Sequence, residues 1–356
     1  MHVHELIAMI EATASPRWAA SWDRGGVQVA AGKKRVGKLA VGLDPAPELI
    51  DQALAWGADF ILVHHPLTLK PELPVLPNGY HHVLGALLRH DAWLYAAHTS
   101  LDVQPRGPVR WLAGELGLQN VSVLEETGRR VGRWFRILGP EGRIEQVAQG
   151  LEGRPGVEVY ALGARALEAV AAPGSDFEVY GAISGADDNT LRVISHELDL
   201  PLEPLGFGFV GEMPESSPWE EFYEVLKRLI GGPPRALAGI IPEKVRRVAC
   251  CPGSGASLLG RVAKVGAQVY VTGDLKYHDA QAVRELGYLV VDVGHFVLEE
   301  RMMRVFSEEL RRKLTHGAVE VAFFPGIDFL SSPSRYVEAG RGRGRGMRNG
   351  SDKAEY

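Results

Sequence analysis

The chain has 356 residues, 46% hydrophobic and 23% charged, values that exclude a mainly disordered or collagen-like polymer. Lys and Arg number 39 against 44 Asp and Glu, a formal charge of −5, so the basic surplus of a dedicated nucleic-acid binder is missing. The length exceeds one small core and implies two domains, or one domain with an insertion.

No apolar run of about 18 residues is present, and the N-terminal residues lack the basic start and long apolar core of a secretory signal. No membrane association and a cytoplasmic location are expected. Cys250 and Cys251 are adjacent in an apolar stretch and read as small residues of a reduced interior rather than a redox pair.

Residues 4–12 place Leu6, Ile7 and Ile10 on one helical face. Residues 38–42 read as a buried strand, and Asp44-Pro45-Ala46-Pro47 as a turn into a helix over 48–56 that Gly57 ends. A strand over 59–63 completes a strand-helix-strand unit, which implies parallel strands in a helix-covered sheet. A helix over 81–89 and a strand over 92–97 follow. Residues 125–205 differ in character. Their Gly/Arg-rich joints, a strand over 134–138, a helix over 144–151 and strands over 157–162 and 177–183 suggest a small inserted α+β domain. Residues 201–218 lead back to a helix over 219–229.

The earlier grammar then returns: strand 247–251, helix 256–265, strand 268–272, helix 280–286, strand 288–293. Trp56-Gly57-Ala58-Asp59 followed by an apolar strand is echoed by Val265-Gly266-Ala267-Gln268 followed by another. The fold class expected is α/β: two related lobes with mixed sheets covered by helices, plus the small inserted α+β domain. The boundaries expected are 1–125, 126–204 and 205–335, with 336–356 a disordered Arg/Gly tail. Alternating Arg-Gly can bind single strands, but a short solvated tail is the reading adopted, so no nucleic-acid partner is expected.

Of twelve histidines, the informative ones sit directly after predicted strands. The three clusters are His64-His65-Pro66, His98-Thr99-Ser100-Leu101-Asp102, and Gly294-His295 with Glu299. Ligands of open α/β sheets bind beyond the carboxyl ends of strands, so the three clusters are expected to converge. His295 and Glu299 share one face if a helix begins after Gly294. His64 and His65 point apart in an extended turn and suit two cations better than one. Asp102 and Glu299 each have two oxygens and can bridge. The donor set suits zinc, iron, manganese, nickel or cobalt. The remaining histidines His2, His4, His81, His82, His90, His196 and His316 read as surface or capping residues.

Two further segments follow strands. Thr272-Gly273-Asp274-Leu275-Lys276-Tyr277-His278-Asp279 is dense in groups that handle protons or anions, or is a polar loop capped by Asp279. Gly253-Ser254-Gly255 opens a helix whose backbone N–H groups could hold a phosphate, although it lacks a P-loop lysine.

Taken together, these motifs resemble the Nif-three-like dinuclear metal-centre family, often called GTP cyclohydrolase 1 type 2 homologues. The matching segments, in order, are Trp22-Asp23 with Gly26-Val27-Gln28, the three histidine clusters, Gly253-Ser254-Gly255 and Thr272 to Asp279. They cover roughly 1–125 and 205–330. The resemblance implies a two-lobed subunit, two divalent metal ions held by His64, His65, Asp102, His295 and Glu299, His98 close by, and a toroidal homohexamer. The chain departs from the family where Ser100 stands in place of Asn, where Gly107-Pro108-Val109-Arg110 replaces a Gly-Val-Asn segment, and where Arg24 follows Asp23. The activity expected is metal-dependent hydrolysis of a small molecule, with nucleotides and other phosphate-containing compounds as the candidates. His98, His278, Asp274 and Lys276 are the candidate catalytic groups. The alternative is a non-catalytic hexameric metal-binding scaffold or regulator.

Overall fold

Short, unbroken apolar runs become strands covered on both faces, as parallel sheets require. In the computed structural model, which describes residues 1–186, 190–314 and 319–330, helix α1 (Val3–Ala14) buries Leu6 and Ile10 and leads to strands β1 (Gly26–Val29) and β2 (Lys38–Val41). Helix α2 (Pro47–Trp56) opens on a proline, whose missing N–H costs nothing there, and stops at Gly57 in the left-handed conformation. Strand β3 (Phe60–Val63), helix α3 (Gly79–His90), strand β4 (Trp93–Ala96) and the short helices α4 (Thr99–Asp102) and α5 (Trp111–Glu115) complete the first region.

The middle region is strand β5 (Gln119–Leu138), helix α6 (Glu141–Leu151), strands β6 (Val157–Gly163) and β7 (Ala166–Ala171), helix α7 (Asp176–Gly185) and strand β8 (Arg192–Pro218). The last comprises helix α8 (Trp219–Ile230), strands β9 (Ala236–Gly239) and β10 (Lys244–Ser254), helix α9 (Leu259–Val265), strand β11 (Val269–Gly273), helix α10 (Tyr277–Leu286), strand β12 (Leu289–Asp292), helix α11 (His295–Lys313) and strand β13 (Glu320–Phe323).

Two mixed sheets result, in the orders β1-β4-β3-β2-β13 and β6-β7-β5-β8-β10-β11-β12-β9. Within them lies a repeat. In the first sheet β2, β3 and β4 are parallel and β1 runs antiparallel beside β4. In the second, β10, β11 and β12 are parallel and β9 runs antiparallel beside β12. The α/β fold with two related lobes, expected from the echoed glycine turns, is the fold observed. Helix α11 joins them: Leu298, Met302, Met303, Phe306 and Leu310 share one core with Leu39, Phe60, Tyr95, Val271 and Val291.

Several details differ from expectation. Residues 177–183 form part of helix α7 rather than a strand, because Val179, Ala182 and Ile183 fall at helical spacing and pack with Val147 and Leu151 of α6. The expected boundaries at 125/126 and 204/205 fall inside β5 and β8, which pair antiparallel along their length and continue into β10. The middle region is therefore an extension of the second sheet, and residues 1–325 form one compact unit. Strand β13, expected in the second lobe, lies parallel to β2 of the first. His316 and the Arg/Gly tail lie outside the described residues. No helix among the described residues is long and apolar enough to cross a membrane.

Phe60 is fully buried and stacks on Tyr95 with ring centroids 6.2 Å apart. Phe60→Ala is expected to lower unfolding free energy by about 3–5 kcal/mol, the cost of a large aromatic cavity, read as a lower urea midpoint with the slope unchanged.

Candidate metal centre

The carboxyl ends of the parallel strands of both lobes deliver the site. After β3 the chain turns at His64 and His65, and both of their backbone N–H groups donate to Leu43 O, at 3.0 and 3.1 Å. After β4, His98 caps α4, whose last residue is Asp102. After β12, Gly294 allows helix α11 to begin at His295, which places Glu299 one turn on.

Four imidazoles share one device. His64 Nδ1 is 2.9 Å from Ala97 O, and His65 Nδ1 is 2.7 Å from Asp44 Oδ1. His98 Nδ1 is 2.8 Å from Asp23 Oδ1, and His295 Nδ1 is 2.7 Å from Asp274 Oδ2. Each acceptor places the ring proton on Nδ1 and leaves the Nε2 lone pair to face the opposite way, the outer arrangement typical of metal-binding histidines. His64, His65 and His98 form one group whose ligating atoms lie within 4.8 Å of one another, and His65, His295 and Glu299 form another.

The carboxylates lie between these rings. Glu299 Oε2 is 3.0 Å from His65 Nε2 and 2.8 Å from His295 Nε2, while its Oε1 is 3.5 Å from His64 Nε2. His64 Nε2 is also 3.6 Å from Asp102 Oδ1. These last two atoms are buried and have no hydrogen-bond partner among the described residues. Their spacing is too long for a hydrogen bond, but two ligands each ~2.1 Å from one cation stand roughly 3–3.5 Å apart. One Glu299 oxygen thus faces His64 beside Asp102, and the other faces His65 and His295. The residues present fit a divalent-metal site: imidazole Nε2 atoms and carboxylate oxygens face one space at ligand spacing.

The electrostatics agree. Burial disfavours a charged His65, but Asp44 and Glu299 outweigh it and raise the ring to about 10. His295 rises to about 9, because Glu299 and Asp274 outweigh its burial in the same way. Burial would also raise Glu299, yet His64, His295 and His65 hold it well below the usual carboxylate range. Asp102 moves up, driven first by burial, opposed by His64 and pushed further by Glu299. In the bare chain, protons on the rings balance the carboxylates, and a metal ion would displace them.

Backbone geometry clears the space. At Gly253 (φ +69°) a Cβ would strike the Glu299 carboxylate, and at Gly273 it would strike the backbone at the start of α11. The Gly253-Ser254-Gly255 segment therefore makes room for Glu299. It leads into a three-residue 3₁₀ turn and the seven-residue α9 rather than the single helix over 256–265 on which a phosphate cradle was considered. Asp274 holds φ +58°, an uncommon conformation for a residue with a side chain, and so reaches His295. Asp292 fixes both neighbouring loops, accepting from Leu275 N at 2.9 Å and Gly294 N at 2.8 Å.

The structure brings together His64, His65, His98, Asp102, His295 and Glu299, with Asp274 behind His295. Lys276 and His278, expected as catalytic groups, are exposed. Lys276 caps α10 and His278 packs edge-on against Tyr277. Neither shares a hydrogen bond or ring contact with the cluster among the described residues. The catalytic roles expected of them find no support in that placement, because the chain turns into α10 and carries both side chains into solvent. Sequence reasoning passed over Asp44 and the holding role of Asp23. The signal was available for Asp44, which follows the end of β2 as the histidines follow β3 and β4.

Asp23 accepts from His98, from Thr99 N at 3.0 Å, from the Thr99 hydroxyl and from Arg24 N at 2.6 Å. Burial opposes its charge, but the His98 and Thr99 hydrogen bonds outweigh it and hold its pKa at about 2. A depressed carboxylate stabilises the fold above its ordinary value near 3.8 and loses that contribution as pH falls through about 2. Asp23→Asn is expected to cost on the order of 1–2 kcal/mol near neutrality. The gap in urea midpoints between the variant and wild type should close between about pH 4 and pH 2; a gap that stays constant over that range would remove the charge argument.

The Duf34/NIF3 (NGG1p interacting factor 3) family model matches residues 1–328. A Staphylococcus epidermidis protein named GTP cyclohydrolase 1 type 2 homolog is 25% identical over 345 residues, covering 88% of this chain and 93% of its own. A Halalkalibacterium halodurans protein of the same name is 26% identical over 344 residues, covering 87% and 92%. Among solved structures, a Bacillus cereus protein described as related to NIF3 superposes with a TM-score of 0.71 at 26% identity, over 94% of this chain and 98% of that one. This chain is a member of the Duf34/NIF3 family.

Proposed function

We propose that the protein is a metal-dependent hydrolase whose centre holds two divalent cations on His64, His65, Asp102, His295 and Glu299. The observation that supports this most is the anchoring of four Nδ1 atoms, which turns four Nε2 atoms into one space beside the buried Glu299 and half-buried Asp102 carboxylates. Such a pair of ions supplies Lewis acidity and makes a water molecule acidic enough to act as a nucleophile near neutral pH. Asp44 and Asp274 orient His65 and His295. Asp23, which stays ionised, holds the His98 ring with Nε2 free, so His98 is the group placed to carry a proton. The oxygen and nitrogen donors are compatible with zinc, iron, manganese, nickel or cobalt. Homohexameric assembly belongs to the same proposal and is read by light scattering of the full chain.

The name shared by the two relatives puts purine-ring opening of GTP on the substrate panel, beside phosphoester and amide hydrolysis. Turnover that appears on metal reconstitution and falls at least about a hundredfold in Glu299→Gln supports the reading. No metal-dependent turnover in any of the three classes overturns it. Elemental analysis tests the ligands separately. Asp102→Ala is expected to lose at least one metal ion per chain, and Gly253→Ala to lose metal because its new methyl group displaces Glu299. His196→Ala, whose ring packs on Trp134 with centroids 4.6 Å apart, is expected to retain the full content. Full metal content in Asp102→Ala would remove that residue from the ligand set.

A further inference from the structure

Away from the metal centre, a cavity of about 580 Å³ opens between the loop after α4, strand β5 and the turns of the middle region. That volume falls within the range of small-molecule sites. Five prolines, Pro105, Pro155, Pro173, Pro201 and Pro204, form much of its wall. They are rigid and apolar and offer no N–H donors. The polar side chains in the wall are Arg106, Arg110, Glu203, Ser122 and Ser175.

Glu203, the carboxylate among them, is already engaged on both oxygens. Arg106 Nε lies 2.9 Å from Oε1, and Arg130 Nε lies 2.5 Å from Oε2. Two guanidinium groups thus hold one carboxylate, and a third, Arg110, lines the same cavity. Arg110 is half-buried, and its hydrogen bond goes to Val121 O at 3.3 Å. Its desolvation is the larger effect on its charge, which Glu203 supports and Arg106 opposes. Gly174 (φ +78°) lies directly against the Arg130 guanidinium, close enough that a Cβ would meet it. The surplus is cationic and rich in donors, the walls are apolar, and planar guanidinium forks match tetrahedral phosphate oxygens.

We propose that this cavity binds a small-molecule phosphate monoester, its phosphate group held by Arg110 and Arg106 and its organic body laid against the proline walls. The volume exceeds what inorganic phosphate alone would fill. A monoester carries close to two negative charges at neutral pH, which suits the two guanidinium groups of the wall, the one carboxylate there being held by Arg130 from outside the lining. The cavity shares no lining residue with the candidate metal centre.

Calorimetric titration of the full-length protein with phenylphosphonate, whose P–C bond resists hydrolysis, tests this. The expected result is one saturable site per chain, weakened about tenfold or more by Arg110→Met or Arg106→Ala, and kept in Glu299→Gln. Phenylphosphonate should also bind more tightly than inorganic phosphate. Arg106 is 82% exposed, so its variant carries the test where Arg110→Met does not fold. Absence of saturable binding overturns the proposal. Binding lost in Glu299→Gln but kept in Arg106→Ala overturns it as well, by assigning the anion to the metal centre. Equal affinity for inorganic phosphate removes the organic body from it.

Discussion

The Glu299 carboxylate turns one oxygen toward His64 and the other toward His65 and His295. Two of those rings come from the first sheet and one follows the second, so the contact exists only while both lobes hold a fixed register. Helix α11 supplies that register. It starts at the site, and its apolar face runs through the core that both sheets share. Trp111 of the first region donates from Nε1 to Leu298 O at 3.1 Å, one residue before Glu299, and so fixes the helix at the turn that matters.

Such a centre is not the most stable use of these positions. A carboxylate this deeply buried costs several kcal/mol unless it is paired, and apolar side chains of similar volume would often be more stable. Local rules are broken nearby as well: Asp274 sits in the left-handed region, and Gly253 and Gly273 leave no room for a side chain. Departures of this kind concentrate where function, rather than stability, selects the residue. The hydrogen bonds behind the rings belong to the same economy, because each fixes an imidazole that would otherwise rotate.

Much of this is legible in the sequence itself. Parallel strands leave continuous apolar runs, so 59–63, 92–97 and 288–293 announced themselves, and the histidines directly beyond them had to lie at strand ends. The spacing of His295 and Glu299 carried its own test in a helix beginning after Gly294. What escaped were pairings between distant segments. Strand β13 joins β2 across some 280 positions, and no local pattern records that return. The apolar residues of helix α7 satisfy a short strand as readily as a helix, and only packing against α6 decides between them. Asp44 was passed over as a turn residue, which it also is; its hydrogen bond to His65 depends on β2 and β3 lying side by side.

The same dependence on pairing decides how the middle region relates to the rest. A module attached by flexible joints could be removed without touching the centre. Here β5 and β8 pass unbroken from that region into the sheet that carries β10, where Gly253 makes room for Glu299. A polar chain runs alongside: Glu203 of β8 holds Arg130 of β5, Arg130 donates to Gln104 at 3.2 Å, and the buried Gln104 amide donates to Ser100 O at 2.8 Å. Ser100 lies in α4, two residues before Asp102. Backbone hydrogen bonds and this chain thus place the proline-walled cavity and the candidate metal centre on one framework, and deletion of 126–204 would cut two strands on which the Asp102 side of that cluster rests.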